Sequence, residues 1–152
     1  MPKKKDITRT KLFKMVQKFD EFDCKFRPTI ADCREVFNNI NRNVFNNELK
    51  MPSFRLVYSK AFWGECQGNL EENERCIIRM NKSFLSKRLF VYTMAHEMVH
   101  QWEWLVHEHM THGPTFFIWR EELAKYGIVL SRKYRIKSVS YTHLTLPTKR
   151  IV

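Results

Sequence analysis

Two histidines four residues apart, with a glutamate directly after the first, are the residues of this sequence whose types and spacing best predict chemistry. They are His96, Glu97 and His100, in the segment His-Glu-Met-Val-His. The surrounding residues 88–106 are predicted to form a helix, and residues i and i+4 of a helix project from one face. Both imidazoles can then reach one metal ion, so the sequence predicts a zinc site on this helix.

The glutamate of this motif has a position suited to catalysis. Glu97 lies beside the first predicted ligand, where it would flank a water at the coordination position that a catalytic zinc leaves open. A carboxylate there can accept the proton of the attacking water and return it to the leaving amine, while zinc polarises the scissile carbonyl. The expected activity is therefore hydrolysis of peptide bonds by a zinc metalloendopeptidase, with Glu97 as general base.

A third zinc ligand is expected downstream of the motif, and two known patterns serve as comparisons. The metzincin pattern needs a glycine and a histidine at positions that hold Glu103 and Val106, so it is excluded. The gluzincin pattern uses a glutamate on a following helix, where Glu121 or Glu122 could serve. A solvated helix surface explains these two glutamates better than metal binding does.

Three histidines remain as candidates for the third ligand. His107 and His109 fall at the predicted end of the motif helix, where a cation also suits the helix dipole. His112 directly precedes Gly113–Pro114, a predicted helix start at which glycine lets the backbone turn. We therefore favour His112 as the third ligand.

The elements that must position these residues follow from hydrophobic spacing and from turn residues. The predicted helices span about 8–20, 29–46, 88–106 and 114–127, and the predicted strands span about 53–59, 62–67 and 75–80. In the first strand, Phe54, Leu56 and Tyr58 share one face. This order predicts an α+β fold, a small zincin-like domain whose helices flank a short antiparallel sheet of about three strands.

The charge of the chain favours one class of partner. Its 27 Lys and Arg against 16 Asp and Glu give a formal net charge of +11. Such an excess favours polyanions, because each neutralised phosphate releases condensed counterions. The alternative is a surface whose charge serves only solubility, and the charge alone does not distinguish the two.

Cysteine spacing and hydropathy indicate the compartment. The four cysteines, at positions 24, 33, 66 and 76, include no Cys-x-x-Cys pair. No stretch approaches the roughly 20 apolar residues of a membrane span, and Met1–Asp6 lacks the apolar segment of a secretory signal. We therefore expect an intracellular monomer, cytoplasmic or nuclear, that binds no membrane and keeps its cysteines reduced.

Taken together, the motif segments resemble the SprT-like metallopeptidase family. The two motif segments are His96–His100 and His112-Gly-Pro-Thr-Phe116. Residues 32–37 and 45–49 resemble the leading helix of the family, 61–66 and 76–80 its two strands, and 83–85 the lead-in to its catalytic helix. The resemblance covers about residues 30–130, and it implies that His96, His100 and His112 bind Zn²⁺ and that Glu97 is catalytic.

The resemblance also implies a substrate class. The family includes Spartan, a protease that removes proteins crosslinked to DNA. We therefore expect protein substrates that are associated with DNA or crosslinked to it, a role in DNA repair, and DNA binding through the basic surface. Two alternatives remain open: an adaptor associated with nucleic acid or transcription whose zinc is structural, and a general peptidase that does not depend on DNA.

The chain is predicted to have three parts. Residues 1–28 form a basic N-terminal helical extension, and residues 29–139 form the SprT-like domain. Residues 140–152 show no helical period and do not continue the preceding basic segment. We expect this tail to be foreign to the native protein, and we exclude it from the functional interpretation.

Overall fold

The computed structural model describes residues 6–21, 24–68, 75–134 and 150–151 of the 152-residue chain. In this part of the chain the helices are α1 (Lys11–Gln17), α2 (Ile30–Asn43), α3 (Lys87–His107), α4 (Pro114–Phe117) and α5 (Arg120–Ala124). The strands are β1 (Ser53–Val57), β2 (Gly64–Gln67), β3 (Ile77–Asn81) and β4 (Arg150–Ile151). The α+β class predicted from the sequence is confirmed.

The strands form one mixed sheet in the order β1-β3-β2-β4. Strands β2 and β3 pair antiparallel, with Cys66 opposite Ile78, and β4 pairs antiparallel with β2. Strand β1 runs parallel to β3, with Phe54 also opposite Ile78. The prediction of an antiparallel sheet is therefore wrong for β1.

The parallel pair has a topological reason. After β1 the chain reverses direction into β2 but leaves a gap of one strand between them, and β3 fills that gap. Because β3 reverses again relative to β2, it ends up parallel to β1. Alternating apolar residues identify a strand, but they do not encode which strand will become its neighbour.

Two capped helices, α2 and α3, pack against the sheet. Helix α2 begins with a capping box in which the Thr29 hydroxyl accepts from the Asp32 N–H at 3.1 Å and the Asp32 carboxylate accepts from the Thr29 N–H at 2.9 Å. Helix α3 is capped at its N-terminus by Ser86, whose hydroxyl accepts from the N–H of Leu89 at 3.1 Å. Glu108 follows its last residue, and its left-handed φ of 57° stops the helix.

Helix α3 lies at the centre of the molecule. Its residues from Thr93 to Gln101 are all buried, and it packs against β2 on one side and α2 on another. A helix buried on most of its circumference is expected to be apolar all round. The polar residues that α3 nevertheless carries in this stretch therefore need partners or a function.

The N-terminal segment packs onto the same core. Short 3-10 turns, Ile7–Arg9 and Lys18–Glu21, flank α1, so the predicted helix over 8–20 is shorter than expected. Its apolar residues Leu12, Val16 and Phe19 are buried in the hydrophobic cluster that also contains residues of α2, α3 and the sheet. Burial of these residues agrees with the hydrophobic spacing that predicts the helix, but the predicted helix bounds are wrong.

Two further details differ from the sequence predictions. The helix expected over 114–127 is divided into α4 and α5 at Ile118–Trp119, where the Trp119 ring packs against Phe45 (centroids 4.4 Å apart) and Trp102 (5.2 Å). Tyr58 follows β1 and is 72 % exposed, so it does not share the partly buried positions of the strand. Among the described helices, none has both the length and the hydrophobicity needed to span a membrane.

Candidate metal centre

Three imidazoles converge on one point in the fold. The Nε2 atom of His100 lies 3.1 Å from that of His96 and 3.2 Å from that of His112, and the His96 and His112 Nε2 atoms are 3.2 Å apart. His96 and His100 are buried, and His112 is half-buried. The structure thus brings together the three histidines that the sequence singled out.

Local backbone geometry explains how His112 reaches the other two. His96 and His100 project from the same face of α3, one helical turn apart. After the cap at Glu108, a loop returns the chain toward the histidines of α3. Gly113 then caps α4, and Pro114 is the first residue of that helix. His112 therefore faces α3 from the start of the next helix.

The second ring nitrogens of the α3 histidines are held by acceptors. The Nδ1 of His96 lies 2.9 Å from the backbone oxygen of Ser131, and the Nδ1 of His100 lies 2.9 Å from Oε1 of Glu103. Since these acceptors require a proton on Nδ1, the Nε2 atoms of both neutral rings present lone pairs. Histidines that bind metals are oriented in this way by groups behind the ring.

Converging lone pairs fit a metal ion. Neutral imidazoles that face each other through Nε2 have no proton to share, so they repel unless a cation lies between them. Tetrahedral zinc with bonds of about 2.0–2.1 Å separates its ligand nitrogens by about 3.3 Å, and the observed separations are 3.1–3.2 Å. These three histidines could therefore hold a metal ion, and zinc is consistent with the donor set.

The third imidazole is also in the state that a metal requires. Burial, followed by the positive charge of Arg132, lowers the pKa of His112 to about 4 from its ordinary value near 6.5. The carboxylate of Glu103 opposes this shift but does not overcome it. At neutral pH the ring is unprotonated, and its lone pair is available to a cation.

Glu103 connects α3 to the loop that carries His112. Its side chain is completely buried, and Oε1 accepts from the N–H of Thr111 at 3.2 Å in addition to its contact with His100. Its other oxygen, Oε2, accepts from the hydroxyls of Thr111 at 2.9 Å and Thr115 at 2.7 Å. One carboxylate therefore orients a histidine of α3 and fixes the loop that brings His112 to it.

Glu97 places a second carboxylate in this buried region. It is 0 % exposed, and among the described residues neither of its oxygens has a hydrogen-bond partner. Burial, and next to it the carboxylate of Glu65, raise the pKa of Glu97 well above its ordinary value. A buried carboxylate without a partner is costly, and a water or cation bound beside it would relieve that cost.

Strand β2 approaches Glu97 closely because it begins with glycine. A Cβ at Gly64 would lie 2.6 Å from Cγ2 of Thr93 and 3.2 Å from both Cγ and Oε2 of Glu97. No side chain fits there, so glycine is what lets the strand cross α3 at the motif. The next residue, Glu65, is buried, and its Oε1 accepts a hydrogen bond from Nη1 of Arg79 at 3.1 Å.

Comparison with known families identifies the chain. A family model described as the SprT-like family matches residues 33–139, which is more than half of the chain. This chain belongs to the SprT-like family. The resemblance drawn from the motif segments is thereby confirmed. A search of curated proteins finds no match to the sequence.

Several candidate residues of the SprT-like chain lie away from the histidine cluster. His107 and His109 are exposed, with their rings stacked on each other 5.4 Å apart, and His109 contacts the hydroxyl of Thr115. Glu121 is exposed, and Glu122 pairs with Lys125 at 2.8 Å. Among the described residues, the group able to hold a metal contains only His96, His100 and His112.

Tyr92, Tyr134 and Arg135 have side chains of types that can stabilise an oxyanion, but the two tyrosines have other partners. The hydroxyl of Tyr134 donates to the carbonyls of Val129 at 2.8 Å and Tyr92 at 3.2 Å, and burial raises its pKa. The hydroxyl of Tyr92 donates to the carbonyl of Gly127 at 3.1 Å. Both side chains hold the segment after α5 against α3. Arg135, the third candidate, lies outside the described residues.

The aromatic residues near the site contribute mostly to packing. Phe116 is fully buried, and its ring lies 4.7–5.1 Å from the three imidazole rings, so it forms an apolar wall behind them. Trp63 is buried, and its ring stacks on that of Phe84 with the centroids 5.6 Å apart. The ring centroids of Trp102 and Trp119 lie 5.2 Å apart. The helical spacing of Phe116 and Trp119 favours packing over ligand binding, and packing also describes Trp63 and Trp102.

Sequence reasoning missed three contributors to this centre. In the sequence, Glu103 shows only a mismatch to the metzincin pattern, and nothing marks Ser131 as a partner of His96. Gly64 did carry a signal, because the chain has only four glycines and a glycine inside a strand pattern often marks a close approach of two backbones.

Proposed function

We propose that this SprT-like chain is a zinc-dependent endopeptidase with a small zincin-like domain, in which His96, His100 and His112 hold Zn²⁺. The observation that carries the proposal is the pairing of two features. Three Nε2 atoms lie within 3.2 Å of one another, and the fully buried carboxylate of Glu97 follows directly after the first of these histidines on α3.

A zinc ion held there would polarise a peptide carbonyl and lower the pKa of a water molecule at the site. Glu97 is suited to be the general base, because burial and Glu65 raise its pKa and so strengthen it as a proton acceptor. Its carboxylate takes the proton of the attacking water and transfers it to the nitrogen of the leaving amine. Glu103 and Ser131 keep the Nδ1 protons of His100 and His96 in place throughout.

The proposed substrates are proteins associated with DNA or crosslinked to it. Membership in the SprT-like family supports this, and so does the net charge of +11, which favours a polyanionic partner. An exposed basic surface would hold the protease near proteins on DNA.

The test compares wild type, Glu97→Gln and Glu121→Gln, each loaded with Zn²⁺. Measurements are zinc content by mass spectrometry, cleavage of a DNA-bound protein, and cleavage of the same protein without DNA. We expect all three proteins to bind one equivalent of zinc, and Glu97→Gln to lose at least about 10²-fold in cleavage rate, because it has no general base. Glu121→Gln removes an equal charge from an exposed position and should keep wild-type activity.

The outcomes separate the proposal from its alternatives. Zinc binding without cleavage of any substrate would contradict the peptidase and favour an adaptor with a structural zinc. Equal cleavage with and without DNA would retain the peptidase and remove its dependence on DNA. Equal activity of Glu97→Gln and wild type would show that Glu97 is not the base.

A further inference from the structure

A basic groove lies between α1 and the start of α3, away from the histidine cluster. It has a volume of about 680 Å³. Its lining contains five cationic side chains, two apolar ones and no carboxylate: Arg9, Lys11, Lys14, Lys18, Lys87, Met15 and Phe19. We call this feature the α1 groove.

Most of the charge in the α1 groove is not neutralised within the described residues. Lys14, Lys18 and Lys87 take part in no ion pair in this part of the chain. The Nζ of Lys11 lies 3.2 Å from Oε1 of Glu35, and the Nε of Arg9 lies 3.4 Å from Oδ2 of Asp6. The side chains of both pairs are well exposed. Exposed pairs of this kind contribute little energy and are readily exchanged for another anion.

The spacing of the lysines suits a repeating anion. Lys11, Lys14 and Lys18 occur at i, i+3 and i+7, so they follow one face of α1 and continue into the turn after it. At 1.5 Å per residue, seven residues extend about 10 Å. Phosphates recur at every nucleotide of a nucleic-acid strand, so a row of this length can face more than one phosphate.

The groove also lies at a useful distance from the proposed active site. Lys87 is the first residue of α3, and Glu97 follows ten residues later on the same helix. Ten residues of helix measure about 15 Å. A strand bound in the groove would therefore hold an attached protein near the proposed zinc site.

We propose that the α1 groove binds the phosphate backbone of a nucleic-acid strand. The inference deepens the proposed function and rests on its nucleic-acid part, but binding is measured without any cleavage. Lys11, Lys14, Lys18, Arg9 and Lys87 supply the contacts to phosphates, and Met15 and Phe19 form the apolar floor on which the sugars lie.

The experiment compares the full-length chain with two double variants that remove the same charge. Lys14→Gln/Lys18→Gln alters the α1 groove, while Lys60→Gln/Lys82→Gln alters two exposed lysines that do not line it. Binding of a fluorescein-labelled single-stranded oligonucleotide is followed by anisotropy over a range of salt concentrations. Circular dichroism verifies that both variants are folded.

We expect the groove variant to bind about tenfold more weakly and the control to stay within about twofold of wild type. The slope of the logarithm of the association constant against the logarithm of the salt concentration should fall in magnitude by about 1.4 for the groove variant. Each phosphate contact to a single strand contributes about 0.7 to this slope, and the variant removes two lysines. These results hold whether or not the chain cleaves proteins.

Two outcomes would overturn the proposal. Equal losses in the two variants would show that net charge alone drives binding. A groove variant that binds oligonucleotide normally but loses binding to phosphatidylserine vesicles would show that the groove takes a membrane surface instead.

Discussion

Behind the α3 histidines lie groups that fix their orientation, and Glu103 serves two of the three ligands. It contacts Nδ1 of His100 directly, and through Thr111 and Thr115 it holds the loop on which His112 sits. A carboxylate behind a metal-binding imidazole fixes the ring and makes it a stronger donor. Glu103 is therefore a positioning residue for the proposed zinc site.

Replacing Glu103 by glutamine should weaken zinc binding while leaving the three histidines intact. The amide has nearly the same shape, but it has no charge to strengthen His100 and only one acceptor oxygen for the four donors around it. We expect the affinity for Zn²⁺ to fall about 10–100-fold, measured by competition with a chromophoric chelator.

The matched control for this variant is Glu121→Gln, an exposed carboxylate that does not belong to the histidine cluster. Its zinc affinity should equal that of wild type. If Glu103→Gln also bound zinc with wild-type affinity, the buried carboxylate would have no role in orienting the ligands.

At the scale of elements, the approach of β2 to α3 decides the surroundings of Glu97. The strand crosses the helix at Gly64, where only the absence of a side chain permits contact with Thr93 and Glu97. Burial of Glu97 and its proximity to Glu65 both follow from this crossing. One glycine thus sets the electrostatic surroundings of the proposed general base.

Gly64→Ala should force β2 away from α3, because its Cβ would lie only 2.6 Å from Cγ2 of Thr93. We expect a loss of about 1–3 kcal/mol in the free energy of unfolding, as in other overpacked cores. Urea denaturation measures it. Adding Thr93→Ser removes the opposing methyl group, so the double variant should regain part of the loss.

Gly113→Ala provides the control for the same change in chemistry. A Cβ there would lie 3.5 Å from Oγ1 of Thr111, which is an ordinary contact, and the φ of Gly113 is −104°. Its stability should be close to that of wild type. Equal stabilities of Gly64→Ala and Gly113→Ala would contradict the close approach of β2 to α3.

At the scale of the whole molecule, the N-terminal segment and the family-matched residues share one core. The SprT-like match begins at residue 33, yet Leu12, Val16 and Phe19 are buried in the cluster that includes the interior of α3. The α1 groove depends on this packing, since Lys87 of α3 lines it together with residues of α1.

Leu12→Ala should therefore destabilise the complete domain, including residues far from α1. Leu12 is 0 % exposed, and deleting such a side chain costs about 2–5 kcal/mol. We expect a single unfolding transition at a lower urea midpoint, detected by far-UV circular dichroism and by tryptophan fluorescence.

Lys14→Ala is the control on the same helix, at an exposed position where alanine favours helix formation. Its midpoint should remain close to that of wild type. A wild-type midpoint for Leu12→Ala, or a separate early transition, would show that α1 is not part of the common core.

The sequence by itself determined the features that depend on residues close together in the chain. The spacing of His96 and His100 on one helical face needs only the period of the helix. The start of α2 follows from Thr29 and Asp32, whose capping box is complete within four residues. The apolar stripe of α1 and the existence of the three main strands were predictable for the same reason.

Only the tertiary structure decided the features that join distant segments. His112, rather than His107 or His109, meets the α3 histidines because Glu108 ends the helix and Glu103 fixes the loop behind it. The parallel pairing of β1 with β3 and the meeting of Ser131 with His96 likewise depend on which surfaces pack together. The spacing of neighbouring residues in the sequence does not predict those contacts, because they arise from burial of the whole core.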